Sequence, residues 1–231
     1  MNNPLSVVKK IRRLIRRIIL FFFISSILSV LLLKYIPVYF TPLMVIRSFE
    51  HIGKKQKPKI THTWVSINDI SDHMKRAVIA SEDQRFYMHK GIDRVAIEKA
   101  IEDNKSRKRA RGGSTISQQT AKNVFLWPKS SWLRKGLEAY FTILIELMWS
   151  KERILEVYLN CIETGVGMYG VEAVAKVNFQ TSAKKLTAAQ SALIAATLPN
   201  PIKYSSKSPS EYMRKRQRHI LNQMKTVKLP D

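Results

Sequence analysis

The sequence predicts a mainly α-helical domain that follows a single N-terminal transmembrane helix. Three observations support this fold class. An apolar run extends from Ile18 to Leu33 with only serines as polar members. Apolar residues recur at helical spacing from Ser71 onward. Clean alternation of polar and apolar residues, the pattern of half-buried strands, is too rare along the chain to predict a sheet-based fold.

The apolar run predicts a transmembrane helix over residues 18–40, because about 20 apolar residues span a bilayer core. The basic tail before it, residues 1–17, contains no acidic residue. The positive-inside rule therefore places the N-terminus in the cytoplasm and the rest of the chain outside. A buried core helix is the weaker interpretation given these flanks, and a cleavable signal peptide would need a shorter apolar core with small residues at its exit.

Residues 41–66 are predicted to form a basic, membrane-proximal connector. Pro42 and Gly53 interrupt the helical pattern there, and lysines cluster over 54–59. The formal net charge of the chain is +23, which favours an anionic partner. For a protein held outside the cytoplasm, anionic lipid headgroups and pyrophosphate-linked lipids are expected rather than nucleic acid. Cys161 is the only cysteine, which excludes an intrachain disulfide.

Residues 67–231 are predicted to form the globular domain, whose first helix carries a candidate base. Ser71 is a suitable N-cap for that helix. Glu82 would then lie at its C-terminal end, where the helix dipole disfavours a negative charge and favours proton acceptance. Taken alone, a glutamate in this position is more often an exposed side chain in a loop that ends a helix.

A second candidate feature is the glycine pair Gly112-Gly113, which precedes a predicted helix start. Thr115 and Gln118 have the spacing of a capping box. The free N–H groups at a helix start attract phosphate, and Lys122 lies two turns along the same face. The basic stretch before the glycines, residues 99–111, is interpreted as a mobile loop, although a solvated loop without function would have the same composition.

The longest helical stretch is predicted over residues 132–160, with a break at Ser150, which can cap a second helix. It carries Glu138, four residues after Arg134. Helical pairing with Arg134 and a chemical role are both open for this carboxylate. Residues 151–160 are interpreted mostly as a structural amphipathic helix.

The segments that contain Glu82 and the glycine pair resemble motifs of a known glycosyltransferase domain. Class A penicillin-binding proteins share this domain with monofunctional biosynthetic peptidoglycan transglycosylases. The family's first motif, Glu-Asp-x-x-Phe-x-x-His-x-Gly, is unchanged over residues 82–91. The second motif is present over residues 112–123, with Ser117 and Thr120 in place of the usual Thr and Leu. The first replacement keeps a hydroxyl group, and the second is expected to alter packing only.

The third and fourth motifs of the family match residues 134–138 and 151–160. The resemblance covers roughly residues 67–224, and it departs from the family pattern at Asn178-Phe179-Gln180, where Tyr-Phe-Gly is usual. Four motifs in the family's order make the resemblance specific. Because a transpeptidase domain would not fit into this length, the chain is similar to the monofunctional type.

The resemblance implies a lysozyme-like, two-lobed domain at the outer face of the cytoplasmic membrane. The substrate would be lipid II, and each step would transfer the growing glycan to the 4-hydroxyl of the next lipid II, with inversion and release of undecaprenyl pyrophosphate. Glu82 would be the general base. Glu138 would assist at the pyrophosphate, directly or as a ligand of Mg²⁺ or Mn²⁺ that the substrate pyrophosphate mainly coordinates. The implied substrate-binding residues are Phe86, Arg111, Ser114, Thr115, Gln118, Gln119, Lys122, Asn123 and Arg134.

The implied partners are lipid II, the nascent glycan strand, membrane lipids and proteins of cell division or elongation, without nucleic acid. Two other functional classes stay open. A peptidoglycan hydrolase of the same fold would use Glu82 as a general acid, but it would not need residues 112–122 to hold a pyrophosphate. A membrane-anchored binder of anionic polymers would account for the charge, but it would leave Glu82, Glu138 and the order of the motifs unexplained.

Overall fold

The computed structural model describes residues 4–53, 60–105 and 113–230. It divides into two compact units, Met1–Ile36 and Pro37–Asp231. The first unit contains helix α1, Pro4–Leu33. Its segment Val8–Leu33 is long and apolar enough to cross a membrane, judged by length and composition. At 1.5 Å per residue this segment is about 39 Å long, which exceeds the roughly 30 Å of a hydrocarbon core.

The bounds of α1 differ from the predicted span of residues 18–40. The helix begins within the basic tail because lysine and arginine are good helix formers and continue the helix without a break. It ends at Leu33, a few residues before Pro37, and proline disfavours the helical conformation in the residue that precedes it. The apolar sequence determined the position of the helix, and the flanking residues determined its length.

The second unit is mainly helical, as predicted, with one small sheet. Strand β3 lies between the other two strands of the sheet, parallel to β1 and antiparallel to β2. The strands are β1 (Thr61–His62), β2 (Glu163–Gly165) and β3 (Met168–Tyr169). The helices are α2 (Pro42–Gly53), α3 (Asp72–Glu82), α4 (Arg94–Lys105), α5 (Ile116–Phe125), α6 (Trp132–Met148), α7 (Lys151–Cys161), α8 (Val171–Phe179), α9 (Ala188–Thr197) and α10 (Glu211–Met224).

Two groups of helices position the site. Helices α3, α9 and α10 pack together around small side chains, so their backbones approach closely. The shared buried residues are Ala77, Ala80, Ala192, Ala195, Ala196, Ile220 and Met224. Helix α5 packs against α6 and α7 to form the other group. The end of α3 and the beginning of α5 therefore come from different packing groups.

Part of the predicted connector is a helix packed within the second unit. Leu43 and Met44 of α2 cluster with Tyr169, and Arg47 Nε lies 3.6 Å from Glu163 Oε2. The prediction of a connector over residues 41–66 missed α2, because Pro42 predicts a break in the helical pattern although proline is well accommodated in the first turn of a helix. The lysines over 54–59 lie outside the described residues.

A buried asparagine of α7 holds the segment that follows β1. Asn160 Nδ2 donates to the carbonyl oxygens of Val65 and Glu156, each at 2.9 Å, and Asn160 Oδ1 accepts the Val65 N–H at 2.9 Å. Gly170 packs directly above the Asn160 backbone at φ +80°, where a Cβ atom would lie 2.6 Å from the Asn160 carbonyl oxygen. This close approach requires glycine at position 170.

Two glycine substitutions are expected to change stability in opposite directions. Gly170→Ala should lower the free energy of unfolding by about 1–3 kcal/mol, since a positive φ strains alanine and the added methyl meets backbone. Gly136→Ala, inside α6 with nothing within 4 Å of the added Cβ, should raise it by about 0.5–1 kcal/mol. Thermal unfolding of both variants in the same detergent measures the difference. Equal midpoints would contradict this account of Gly170.

Candidate active site

Glu82 is the last residue of α3, at the helix end where the sequence predicted it. Its carboxylate is half-buried and accepts two hydrogen bonds, from Gln119 Nε2 to Oε2 at 3.0 Å and from Ser81 Oγ to Oε1 at 3.2 Å. Glu82 lines a cleft of about 430 Å³, called here the Glu82 cleft, whose other polar walls include Ser114, Thr115 and Arg216. A carboxylate oriented in this way at an open cleft is suited to accept a proton from a bound hydroxyl.

The residue after Glu82 joins the first motif to the second. The Asp83 carboxylate accepts the N–H of Ile116, the first residue of α5, at 3.1 Å. Its two oxygens also lie 2.9 and 3.0 Å from Nε2 of His89. These contacts fix the beginning of α5 beside the end of α3. Sequence reasoning did not assign this role to Asp83 or His89, although both belong to the first motif.

Phe86 is in the core rather than in the cleft. Its side chain is 0% exposed, and the Nζ atom of Lys151 lies 4.6 Å from the centre of its ring. The expectation that Phe86 binds substrate is therefore not met in this conformation. The spacing of the motif could not reveal this, because burial depends on the helices that pack around the turn. Phe86 instead stabilises the turn that follows Glu82.

Helix α5 begins with the predicted capping box. Thr115 Oγ1 accepts the Gln118 N–H at 3.2 Å, and Gln118 Oε1 accepts the Thr115 N–H at 3.0 Å. Gln118 is buried, lines neither cleft described here, and uses its amide oxygen in the cap. Ser114, just before the cap, is exposed in the Glu82 cleft. Arg111 and Gly112 lie outside the described residues.

One face of α5 lines a second cleft of about 290 Å³, called here the Lys122 cleft. Gln119, Lys122 and Asn123 contribute from α5, three and four residues apart on one face. Gln119 thus belongs to both regions, because its amide nitrogen bonds Glu82 while its side chain lines the Lys122 cleft. The base and the lysine are consequently linked through a single helical turn.

Lys122 is the cation of this face. Burial lowers the pKa of its ammonium group, and the carboxylate of Glu138 opposes that shift. Arg134 and Lys135 lower the same pKa further, since like charges disfavour the protonated amine. An anionic ligand beside Lys122 would restore the stability of the charged form. Lys122 is therefore a candidate cation for an anionic group bound in this cleft.

Glu138 lies on α6 and is only 3% exposed. Its Oε2 accepts from Arg134 Nη1 at 2.5 Å, its Oε1 pairs with Lys135 Nζ, and neither Arg134 nor Glu138 lines the clefts described here. Both carboxylate oxygens are therefore occupied by cations, which does not fit a metal ligand. The expected Mg²⁺ or Mn²⁺, held mainly by the substrate pyrophosphate, stays a prediction.

Three residues that sequence reasoning missed also lie at these clefts. Tyr158, within the segment interpreted as structural, lines the Lys122 cleft, and its hydroxyl is 3.3 Å from Gln119 Oε1. Arg47 and Glu163 line the same cleft from α2 and β2. Burial raises the pKa of Glu163, and the guanidinium of Arg47 opposes this shift. The fourth-motif match was the one sequence signal that could have identified Tyr158.

Comparisons with known proteins agree over most of the chain. The family model described as transglycosylase matches residues 49–225. A biosynthetic peptidoglycan transglycosylase of Bacteroides thetaiotaomicron is 60% identical over 227 residues, which are 98% of this chain and 91% of that protein. Proteins of the same name from Bdellovibrio bacteriovorus and Caulobacter vibrioides are 53% and 50% identical, covering 93% and 91% of this chain and 86% and 91% of their own lengths.

Proposed function

Because the chain belongs to the transglycosylase family, we propose that it polymerises lipid II into glycan strands, releasing undecaprenyl pyrophosphate with inversion at the anomeric carbon. The family assigns it the activity of a peptidoglycan transglycosylase. One observation supports the proposed reaction. Gln119 bonds the Glu82 carboxylate at 3.0 Å and precedes Lys122 by three residues on α5, so one helix links the proposed proton acceptor to the proposed cation.

In the proposed reaction, Glu82 takes the proton of the acceptor 4-hydroxyl as that oxygen attacks the anomeric carbon of the donor. A new carbon–oxygen bond forms on one face of the sugar, and the bond to the pyrophosphate oxygen breaks on the opposite face. The bonding electron pair leaves with undecaprenyl pyrophosphate. The carboxylate is oriented through both of its oxygens, which keeps it aligned with a bound hydroxyl.

Charge on the leaving pyrophosphate increases in the transition state, and Lys122 is the cation placed to stabilise it. Ser114 would contribute a hydroxyl donor from the Glu82 cleft. Arg134 and Glu138 line neither cleft and would act through the pKa of Lys122, which Glu138 raises and Arg134 lowers. In this proposal Glu138 is a positioning residue rather than a metal ligand.

A hydrolase with Glu82 as general acid is the alternative enzyme class. It would not require a half-buried lysine one helical turn from Gln119, the residue that bonds the Glu82 carboxylate. Incubation of the purified protein with lipid II, followed by separation of products by length, distinguishes the classes. Long strands support polymerisation, shortening of preformed strands indicates hydrolysis, and neither product indicates a binding protein.

We place the protein in the cytoplasmic membrane as a single-pass protein, with its N-terminus in the cytoplasm and its domain on the outer side. The support is the long apolar helix and the basic tail that precedes it. Lipid II, the nascent strand and membrane lipids would be its partners there, together with proteins of cell division or elongation. Confinement to the surface that holds the lipid substrate would favour repeated addition to one strand.

Removal of α1 is expected to affect activity mainly in membranes. A chain that begins at Pro37 keeps α2 and should polymerise lipid II in detergent micelles at near the full-length rate. In anionic vesicles it should be at least about tenfold slower, and the rate should fall further with salt, because lysines near anionic lipid contribute about 1 kcal/mol each. Initial rates at two salt concentrations measure both effects.

A shorter chain that begins at Ile60 provides the comparison, since it also lacks α2. It should lose activity even in micelles, because Leu43 and Arg47 of α2 form one wall of the Lys122 cleft. Equal vesicle rates for the full chain and the chain from Pro37 would contradict the anchoring role and would show that the domain binds membranes by itself.

A further inference from the structure

Helix α10 reaches the candidate base through one side chain. Arg216 Nη2 donates to Ser81 Oγ at 3.2 Å, and Ser81 Oγ lies 3.2 Å from Glu82 Oε1. A guanidinium group can only donate hydrogen bonds, so the serine oxygen must accept from Arg216. The single hydroxyl proton of Ser81 is then left for the carboxylate. Arg216 therefore determines the direction of the Ser81 hydroxyl.

The packing of α10 explains how an arginine 135 positions away from Ser81 reaches it. Ile220, one turn after Arg216 on the same face, is buried against Ala77 and Ala80 of α3. The small alanine side chains allow α10 to approach α3 closely. Side chains on a helix tilt toward the N-terminus of that helix. The side chain of Arg216, one turn before Ile220, therefore extends along α3 toward the C-terminal end of α3. That end carries Ser81 and Glu82.

The two oxygens of Glu82 are thus held from two different packing groups. Oε2 accepts from Gln119 of α5, whose amide oxygen in turn accepts from the hydroxyl of Tyr158 on α7. Oε1 accepts from Ser81, which α10 orients through Arg216. An ionised carboxylate has about four acceptor positions, so these two bonds leave room for the proton of a bound hydroxyl. Together they restrict rotation of the carboxylate.

We infer that Arg216, acting through Ser81, is a positioning residue that sets the orientation of the Glu82 carboxylate during glycosyl transfer; the inference rests on the proposed role of Glu82 as general base. Neither residue has to contact the substrate for this effect. A base whose carboxylate rotates freely spends less time within hydrogen-bond reach of the acceptor hydroxyl, which lowers the rate of the chemical step. Binding of lipid II is not expected to change.

A double-mutant cycle on the full-length protein tests the inference. Ser81→Ala and Arg216→Met should each lower kcat by about tenfold, as expected for loss of a hydrogen bond to a charged group, with KM for lipid II unchanged. The double variant should be no slower than the slower single variant, because both changes remove the same interaction. Ser81→Thr keeps the hydroxyl and should restore most of the rate. Arg218→Met, at an exposed position of the same helix, is the matched control and should resemble wild type.

Three outcomes would overturn the inference. Multiplicative losses in the double variant would show that the two residues act independently. A raised KM with normal kcat for Arg216→Met would make Arg216 a direct substrate contact. Full activity of Ser81→Ala would show that Ser81 does not orient the Glu82 carboxylate. If Arg216→Met fails to fold, as judged by thermal unfolding, the comparison of Ser81→Ala with Ser81→Thr decides alone. A wild-type protein that makes no polymer would refute the proposed function instead.

Discussion

Glu82→Gln is expected to reduce polymerisation of lipid II by about 10²–10⁴-fold in kcat, the usual contribution of a general base. The amide has nearly the shape of the carboxylate, and its one oxygen can still accept from Gln119, as the carboxylate does at 3.0 Å. The amide cannot take the proton of the 4-hydroxyl that attacks the donor sugar. Folding and lipid II binding should therefore stay close to wild type, while the chemical step is lost.

The measurement is the steady-state rate of strand formation together with lipid II binding to the same preparation. Glu152→Gln is a suitable control, because Glu152 is exposed in the first turn of α7 and lines neither cleft. It removes the same charge and should leave the rate unchanged. Polymerisation by Glu82→Gln at the wild-type rate would exclude Glu82 as the base.

Lys122→Ala is expected to lower kcat by about 10²–10³-fold, the range found when one donor to a developing negative charge is removed. In the proposed reaction the half-buried ammonium faces charge that is larger in the transition state than in bound lipid II. Its loss should therefore reduce turnover more than it weakens binding. Glu138 would still be paired with Arg134 and Lys135, so the substitution would not leave a buried carboxylate without a cation.

Separate values of kcat and KM for lipid II decide this prediction. Lys207→Ala, an exposed lysine outside both clefts, controls for the loss of one positive charge from a strongly basic protein. A Lys122→Ala variant that raised only KM would show that the lysine binds the ground state and the transition state equally. The transition-state cation would then have to be another residue.

Signals that depend on neighbouring residues were predicted correctly from the sequence. The caps at Ser71, Thr115 and Ser150 are present because each uses a hydrogen bond to a backbone group two or three residues away. Glu82 lies at the end of its helix for the same reason, since the helix pattern and its end are local. The pairing of Glu138 with Arg134, left open by the sequence, also follows from helical spacing once α6 forms.

The sequence could not predict which motif residues face a ligand. Phe86 and Gln118 belong to motifs that suggested substrate contact, yet one is a core residue and the other completes a helix cap. Glu138 was expected near a metal, but both of its oxygens are paired with cations. Burial and hydrogen-bond partners depend on which helices pack together, and residue spacing alone does not contain that information.

The sequence by itself determined the apolar N-terminal helix, the mainly helical class, the order of the motifs and the identity of the candidate base and cation. Tertiary structure decided how these parts act together. It packed α2 into the domain, placed Gln119 between Glu82 and the Lys122 cleft, and brought Arg216 to Ser81 from 135 positions away. The physical reason is distance along the chain: caps and helical pairs form within a few residues, whereas the orientation of a carboxylate depends on helices that meet only after the chain has folded.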